Sequence, residues 1–190
     1  MLHLNSISKE GLSDLIDGCI KKDRNCQRLL YTQFFSLSMS IALRYSSSKE
    51  EAGEIVNDSF LKIFNKLSTY NIENSFNGWL RRIIINTALD YYRKNKKHNN
   101  HLALEEAVVS YNNVLDEIQY EDISKLIQTL SPAYRTIFNL YVIDGYSHKE
   151  IAEIMDISIG ASKSGLSRAR VNLQKMLKEN YNIDYERNAG

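Results

Sequence analysis

The chain has 190 residues, 43% hydrophobic and 25% charged, enough for one domain or two small ones with a buried core and typical of a soluble globular protein. Eight glycines and one proline are few for a protein built on tight turns, so the composition argues against a β-sandwich and for an all-α fold. The net charge of +1 is unevenly spread: residues 1–97 hold 15 Lys and Arg against 10 Asp and Glu, residues 98–130 one lysine against six acids, and residues 131–190 eight bases against seven acids.

A basic part, an acidic part and a near-neutral part predict two modules and a connector, the basic one suited to a polyanion. The opening MLHLNSISKEGLSDLI lacks the basic leader and long apolar core of a secretory signal. No apolar run reaches the ~18 residues of a membrane span. Cys19 and Cys26 are too few for a disulfide framework and point to a reducing compartment. A cytoplasmic protein without membrane insertion is expected.

In chain order, Leu12, Leu15, Ile16, Cys19 and Ile20 mark one face of a first helix. The stretch from Leu29 through Phe34, Phe35 and Ile41 to Leu43 is apolar nearly all round, which predicts a central, well-buried helix. Ser48 and Glu51 read as a capping box. Behind it Ala52, Ile55, Val56, Phe60, Ile63, Phe64 and Leu67 keep helical spacing. Residues 68–75 are polar and turn-rich, a loop. Phe76, Trp79, Leu80, Ile83, Ile84 and Ala88 then mark a fourth helix, ending near Lys94. Four helices with short links predict a bundle over residues 1–97.

Residues 98–122, acidic and weakly periodic, read as a flexible linker, with a plain solvated connector as the simplest role. From residue 123 to 181 the signals sharpen. Ile123, Leu126, Ile127 and Leu130 give a helix. Ser131-Pro132 is an N-cap with proline at the first helical position. Tyr134, Ile137, Phe138 and Tyr141 carry the next helix to Asp144-Gly145. Ser147 and Glu150 form a second capping box before Ile151, Ala152 and Met155. After a tight turn at residues 156–158, a last helix turns Leu166, Ala169, Leu173, Met176 and Leu177 inward. Residues 182–190 form a tail.

A short helix, a three-residue turn and a helix with exposed bases is a helix-turn-helix pattern. The expected exposed side carries Ser162, Lys163, Ser164, Ser167, Arg168 and Arg170, groups able to meet phosphates and base edges in a major groove. An ordinary helical hairpin with a solvated basic face fits the same pattern.

Residues 130–177, LSPAYRTIFNLYVIDGYSHKEIAEIMDISIGASKSGLSRARVNLQKML, resemble the C-terminal promoter-binding domain of bacterial sigma factors, above all the small extracytoplasmic-function (ECF) group. The resemblance rests on Pro132, Tyr134-Arg135, Phe138, Leu140-Tyr141, Gly145, Lys149-Glu150-Ile151-Ala152 and Ser167-Arg168-Ala169-Arg170. Independently, EEAGEIVNDSFLKIFNKL resembles the family's polymerase-binding helix. SFNGWLRRIIINTALDYYRK resembles its promoter-melting helix, with Phe76, Trp79, Leu80, Arg82, Ile83, Asn86, Asp90 and Arg93 in step.

The resemblance implies a sigma factor that binds core RNA polymerase, selects a promoter, melts it and starts transcription. It implies a polymerase-binding face at Glu54, Asn57, Asp58 and Leu61. It places the minus-ten element on Tyr70, Trp79, Arg81, Arg82, Asn86, Arg93 and Lys94, although a tryptophan at helical spacing with Phe76 and Leu80 is more often core. It places duplex minus-thirty-five DNA on Lys149, Ser162, Lys163, Ser164, Ser167, Arg168 and Arg170. An anti-sigma factor is a further implied partner, and the chain is expected to act as a monomer. The acidic connector would lie in a basic channel of the polymerase. Where the family commonly has Thr-Val-Lys-Ser-Arg, this chain has Ala161-Ser162-Lys163-Ser164-Gly165, with a glycine that costs the helix roughly 1 kcal/mol.

Two other classes fit parts of the pattern. A stand-alone helix-turn-helix regulator would not need the melting-helix pattern. A metal-dependent nuclease could use His98 and His101, three residues apart, but no carboxylate or cysteine set surrounds them. His148, beside the second capping box, reads as a surface or phosphate-facing residue. No catalytic residue, metal or cofactor is expected.

Overall fold

The computed structural model describes residues 9–98 and 120–181. Every regular element among them is helical, as the composition predicts. The chain forms two compact units, Met1–Tyr91 and Tyr92–Gly190.

The first unit contains α1 (Lys9–Ile20), α2 (Arg24–Tyr45), α3 (Lys49–Lys66), a 3₁₀ turn at Leu67–Thr69 and the body of α4 (Phe76–His98). Its core is made by Ile16, Cys19, Leu30, Ile41, Ile55, Phe60, Ile63, Leu80, Ile84 and Leu89, all at most 4% exposed. The expectation that α2 is a well-buried helix holds for one stripe only. Leu30, Ser38, Ile41, Ala42 and Tyr45 form its inner stripe, whereas Leu29, Phe35 and Leu43 are more than one third exposed. Apolar residues all round a helix do not bury it all round when only one face has neighbours to pack against.

Lys22 takes a left-handed conformation between α1 and α2. Asp23 then caps α2, its carboxylate accepting from the Asn25 and Cys26 N–H groups at 2.8 and 2.9 Å. These bonds stabilise the charged form and hold the Asp23 carboxyl below its ordinary value. At α3, Ser48 Oγ accepts from Glu51 N–H at 3.1 Å, as the sequence predicts. The return bond differs: the Glu51 carboxylate reaches Ser47, one residue earlier, through its N–H and hydroxyl.

The second unit contains α5 (Tyr120–Thr129), α6 (Pro132–Phe138), a π-helical turn at Asn139–Ile143, α7 (His148–Met155) and α8 (Ile159–Tyr181). Helix α5 starts three residues before the expected boundary, so Glu121 and Asp122, assigned to the linker, are helical. The other linker acids, Glu105, Glu106, Asp116 and Glu117, and His101 lie outside the described residues.

Proline stands at the start of α6 as expected, but the Ser131 side chain makes no capping bond. The π turn widens the helix by one residue per closure. Leu140 is fully buried there, while Tyr141, Val142 and Ile143 are each at least 36% exposed. Arg135, 5% exposed, reaches from α6 to the backbone and side-chain oxygens of Gln128 at 3.1 and 2.8 Å. A buried charge requires such partners, so this arginine of the family-like motif ties α6 to α5.

Candidate nucleic-acid and polymerase interfaces

In the first unit, Glu54, Asn57, Asp58 and Leu61 fall on one face of α3 by their i, i+3, i+4, i+7 spacing. Glu54 and Asn57 are exposed, and Leu61 is 62% exposed. A leucine standing that far into solvent among polar residues is the kind of group an interface covers. Asn57 Oδ1 accepts from Tyr31 OH at 3.0 Å. Asp58 is only half exposed and accepts from Tyr91 OH at 2.9 Å, a bond between α3 and α4. Burial first, then this bond to Asp58, pushes the Tyr91 hydroxyl up to about 12.

Helix α4 presents Trp79, Arg82 and Asn86 along one stripe, spaced i, i+3, i+7. Arg82 and Asn86 are exposed; Trp79 and Arg81 are half-buried, and Arg81 lies about 100° or more around the helix from each residue of the stripe. Arg93 and Lys94 are exposed further along the same helix.

Tyr70 is part of an aromatic cluster beside α4. Its ring meets Phe76 edge-on at 5.3 Å and Trp79 at 5.1 Å. Phe76 in turn meets Trp79 at 5.6 Å and Phe34 at 5.0 Å. The Tyr70 hydroxyl donates to the Asn74 carbonyl, closing the loop before α4, and burial raises its pKa. Tyr70 and Trp79 thus form one aromatic wall beside the Arg82–Asn86 stripe. Asp90 is ion-paired with Lys62 of α3 at 3.0 Å.

In the second unit, α7 and α8 form the expected helix-turn-helix. The capping box is complete: Ser147 Oγ accepts from Glu150 N–H, and the Glu150 carboxylate accepts from Ser147 N–H at 2.8 Å. Asp156 ends α7 in the left-handed conformation, with Ile157 N–H bonded to the Ala152 carbonyl at 3.1 Å. Ser158 Oγ accepts from Ala161 N–H at 3.0 Å and opens α8.

On α8, Lys163, Ser164, Ser167, Arg168 and Arg170 are exposed, as is Lys149 on α7. Arg168 donates to Tyr134 OH of α6 at 3.2 Å. Ser162 corrects the expectation: it is completely buried and bonds His148 Nδ1 at 2.9 Å, so it faces α7 and not solvent. The signal was available in the spacing, because Ser162, Leu166 and Ala169 continue the inward stripe at i, i+4 and i+7; the polar identity of Ser162 masked it. Ile159, 46% exposed, and the exposed Gly160 and Ala161 begin the outward face and were not among the expected contacts. Among the described residues there is no cluster of His, Cys, Asp and Glu able to hold a metal ion, and no helix long and apolar enough to cross a membrane.

Two all-helical units, one ending in a helix-turn-helix, define a class of DNA-binding proteins, and comparison with known proteins specifies it. Residues 30–98 match the family model for Sigma-70 region 2 and residues 120–173 that for Sigma-70, region 4. The chain is 30% identical over 154 residues to the ECF RNA polymerase sigma factor SigW of Bacillus subtilis, covering 73% of this chain and 82% of that protein. It is 25% identical over 185 residues to the ECF RNA polymerase sigma-E factor of Haemophilus influenzae, covering 89% and 97%. Among solved structures it is similar to the sigma factor RpoE of Bartonella quintana, determined with the anti-sigma factor NepR, at 25% identity, with 80% of this chain and 96% of that one covered and a TM-score of 0.49.

The chain belongs to the ECF RNA polymerase sigma factor family. It is an RNA polymerase-binding factor for promoter recognition and transcription initiation.

Proposed function

We propose that the two units divide the work. The first holds core polymerase through the α3 face of Glu54, Asn57 and Leu61, with Asp58 contributing the charge that Tyr91 leaves open, and melts the minus-ten element. The second reads duplex minus-thirty-five DNA through Lys149, Lys163, Ser164, Ser167, Arg168 and Arg170. The acidic linker joins them and occupies a basic channel of the polymerase. An anti-sigma factor completes the partners, and the chain works as a monomer in the cytoplasm, where polymerase and DNA are. It contributes no catalytic group: RNA synthesis belongs to the polymerase.

The observation that carries the melting role is the juxtaposition on and beside α4. Opening a duplex exposes a base, and a displaced base needs a stacking surface, an edge partner and phosphate contacts to offset the few kcal/mol of unstacking. The Tyr70–Trp79 wall supplies the first. The exposed Asn86 amide supplies the second, and Arg82 the third. Permanganate footprinting of the minus-ten element with reconstituted holoenzyme tests it: reactive thymines appear only when the chain is present. Promoter binding without chain-dependent reactivity contradicts the melting role.

A further inference from the structure

The two central residues of the α3 face are each tied to a neighbouring helix by a tyrosine hydroxyl. Tyr31 of α2 donates to Asn57 Oδ1 at 3.0 Å, and Tyr91 of α4 donates to Asp58 Oδ2 at 2.9 Å. Consecutive residues are thus held from two different helices. The hydroxyls are themselves anchored. The Tyr31 ring packs on Phe60 with centroids 4.6 Å apart, and Phe60, one turn beyond Asn57 on α3, is only 2% exposed. Tyr31 also meets Phe35 of its own helix at 5.4 Å. Tyr91 is half-buried.

These bonds decide what each side chain shows to a partner. With Oδ1 turned to Tyr31, the planar amide of the exposed Asn57 carries its N–H donors away from that ring. With Oδ2 on Tyr91, Asp58 retains Oδ1 as an acceptor. Donors and an acceptor therefore stand side by side, with the exposed Leu61 one turn on. A surface side chain left to itself samples several rotamers, and an interface that needs one of them must select it at a cost in entropy. A bond made before the encounter removes part of that cost. Such a bond near the surface adds little to the fold, because water replaces it readily; its effect falls on orientation.

We propose that Tyr31 and Tyr91 are positioning residues of the polymerase-binding face, holding Asn57 and Asp58 in the rotamers that core polymerase engages. The inference rests on the α3 face being that contact. Neither tyrosine need touch the polymerase: each acts through the residue it holds.

The test measures the affinity of the full chain for core polymerase, with a urea unfolding midpoint for every variant to show that it is folded. Tyr31→Phe and Tyr91→Phe keep the rings and remove only the hydroxyls. Each is expected to weaken core binding about two- to tenfold, the range for one hydrogen bond. A tyrosine that merely supported the helix would act whatever residue stood opposite it, so double-mutant cycles separate the two roles. Asn57→Ala weakens binding, and in that background Tyr31→Phe has no further effect. Asp58→Ala does the same to Tyr91→Phe. Equal losses in both backgrounds, or full affinity of the single tyrosine variant, overturn the proposal for that tyrosine. The triple variant Asn57→Ala, Asp58→Ala and Leu61→Glu distinguishes the two levels. Unchanged core affinity there overturns the reading of the face, and the proposal with it. Lost affinity there, with no coupling in either cycle, overturns the positioning role alone.

Discussion

A Cβ on Gly165 would stand 2.6 Å from Cδ1 of Ile137, nearer than side chains approach. Helices α6 and α8 therefore meet at this glycine, and Ile137, 4% exposed, has little room to withdraw. Placing at residue 165 the arginine common in the family forces its stem into that contact. Gly165→Arg is expected to lower the stability of the full chain by about 1–3 kcal/mol, read as a shifted urea midpoint. An unchanged midpoint would show that α6 yields freely.

This glycine also marks the limit of what the residues disclose. All eight α-helices among the described residues, and the helix-turn-helix, were legible because the apolar spacing is regular and the caps at Ser48 and Ser147 are explicit. Gly165 looked like a weakness because helix propensity is local, while its benefit is a contact with a residue 28 positions earlier. Ser162 was misplaced for the same reason, and the packing of Tyr70 was not visible. A hydroxyl reads as outward until His148 is seen across from it, and a loop tyrosine reads as free until Phe76 and Trp79 close on it. The exposed flank of α2 was hidden because a uniformly apolar helix carries no periodic signal for direction.

Asp23 gives the fold an acid-sensitive cap. Its carboxyl is held below the ordinary value by two backbone N–H groups, so its contribution is present above about pH 4 and is lost as pH falls through the depressed folded value. Asp23→Asn keeps a good cap and removes the titration. Thermal midpoints measured from pH 6 down to pH 2 should fall less steeply for Asp23→Asn than for wild type, with the two close together near neutrality. Identical slopes would remove Asp23 from the acid response.

The α3 face should separate by substitution. Leu61→Glu is expected to leave stability within about 0.5 kcal/mol, as for most exposed positions, and to weaken core polymerase binding by about tenfold or more. Asp58→Ala breaks the bond to Tyr91 and is expected to cost roughly 1 kcal/mol of stability. The raised Tyr91 hydroxyl has its own signature. Its stabilisation is complete below about pH 10 and is lost as pH rises toward its folded value of about 12, and Tyr91→Phe abolishes that alkaline loss. Core affinity unaffected by Leu61→Glu would contradict the assignment of this face.

Asn86→Ala and Tyr70→Ala are expected to impair promoter opening more than closed-complex binding, because both act on a base that is available only once unstacked. Tyr70→Phe retains the ring against Trp79 and loses only the bond to the Asn74 carbonyl, so it should open promoters nearly as wild type does. Permanganate reactivity on duplex and on pre-melted templates distinguishes the steps. Equal losses on both templates would count against a role in melting.

Run-off transcription shows whether this chain gives core polymerase its promoter. Core polymerase is supplied with a library of genomic promoter fragments, with and without the full chain, and start sites are read. Chain-dependent starts sharing minus-ten and minus-thirty-five elements are expected, with no specific footprint by the chain alone, because two small modules on a linker bind tightly only when the polymerase fixes their spacing. Tight sequence-specific footprinting by the free chain, with no chain-dependent start sites, would contradict it.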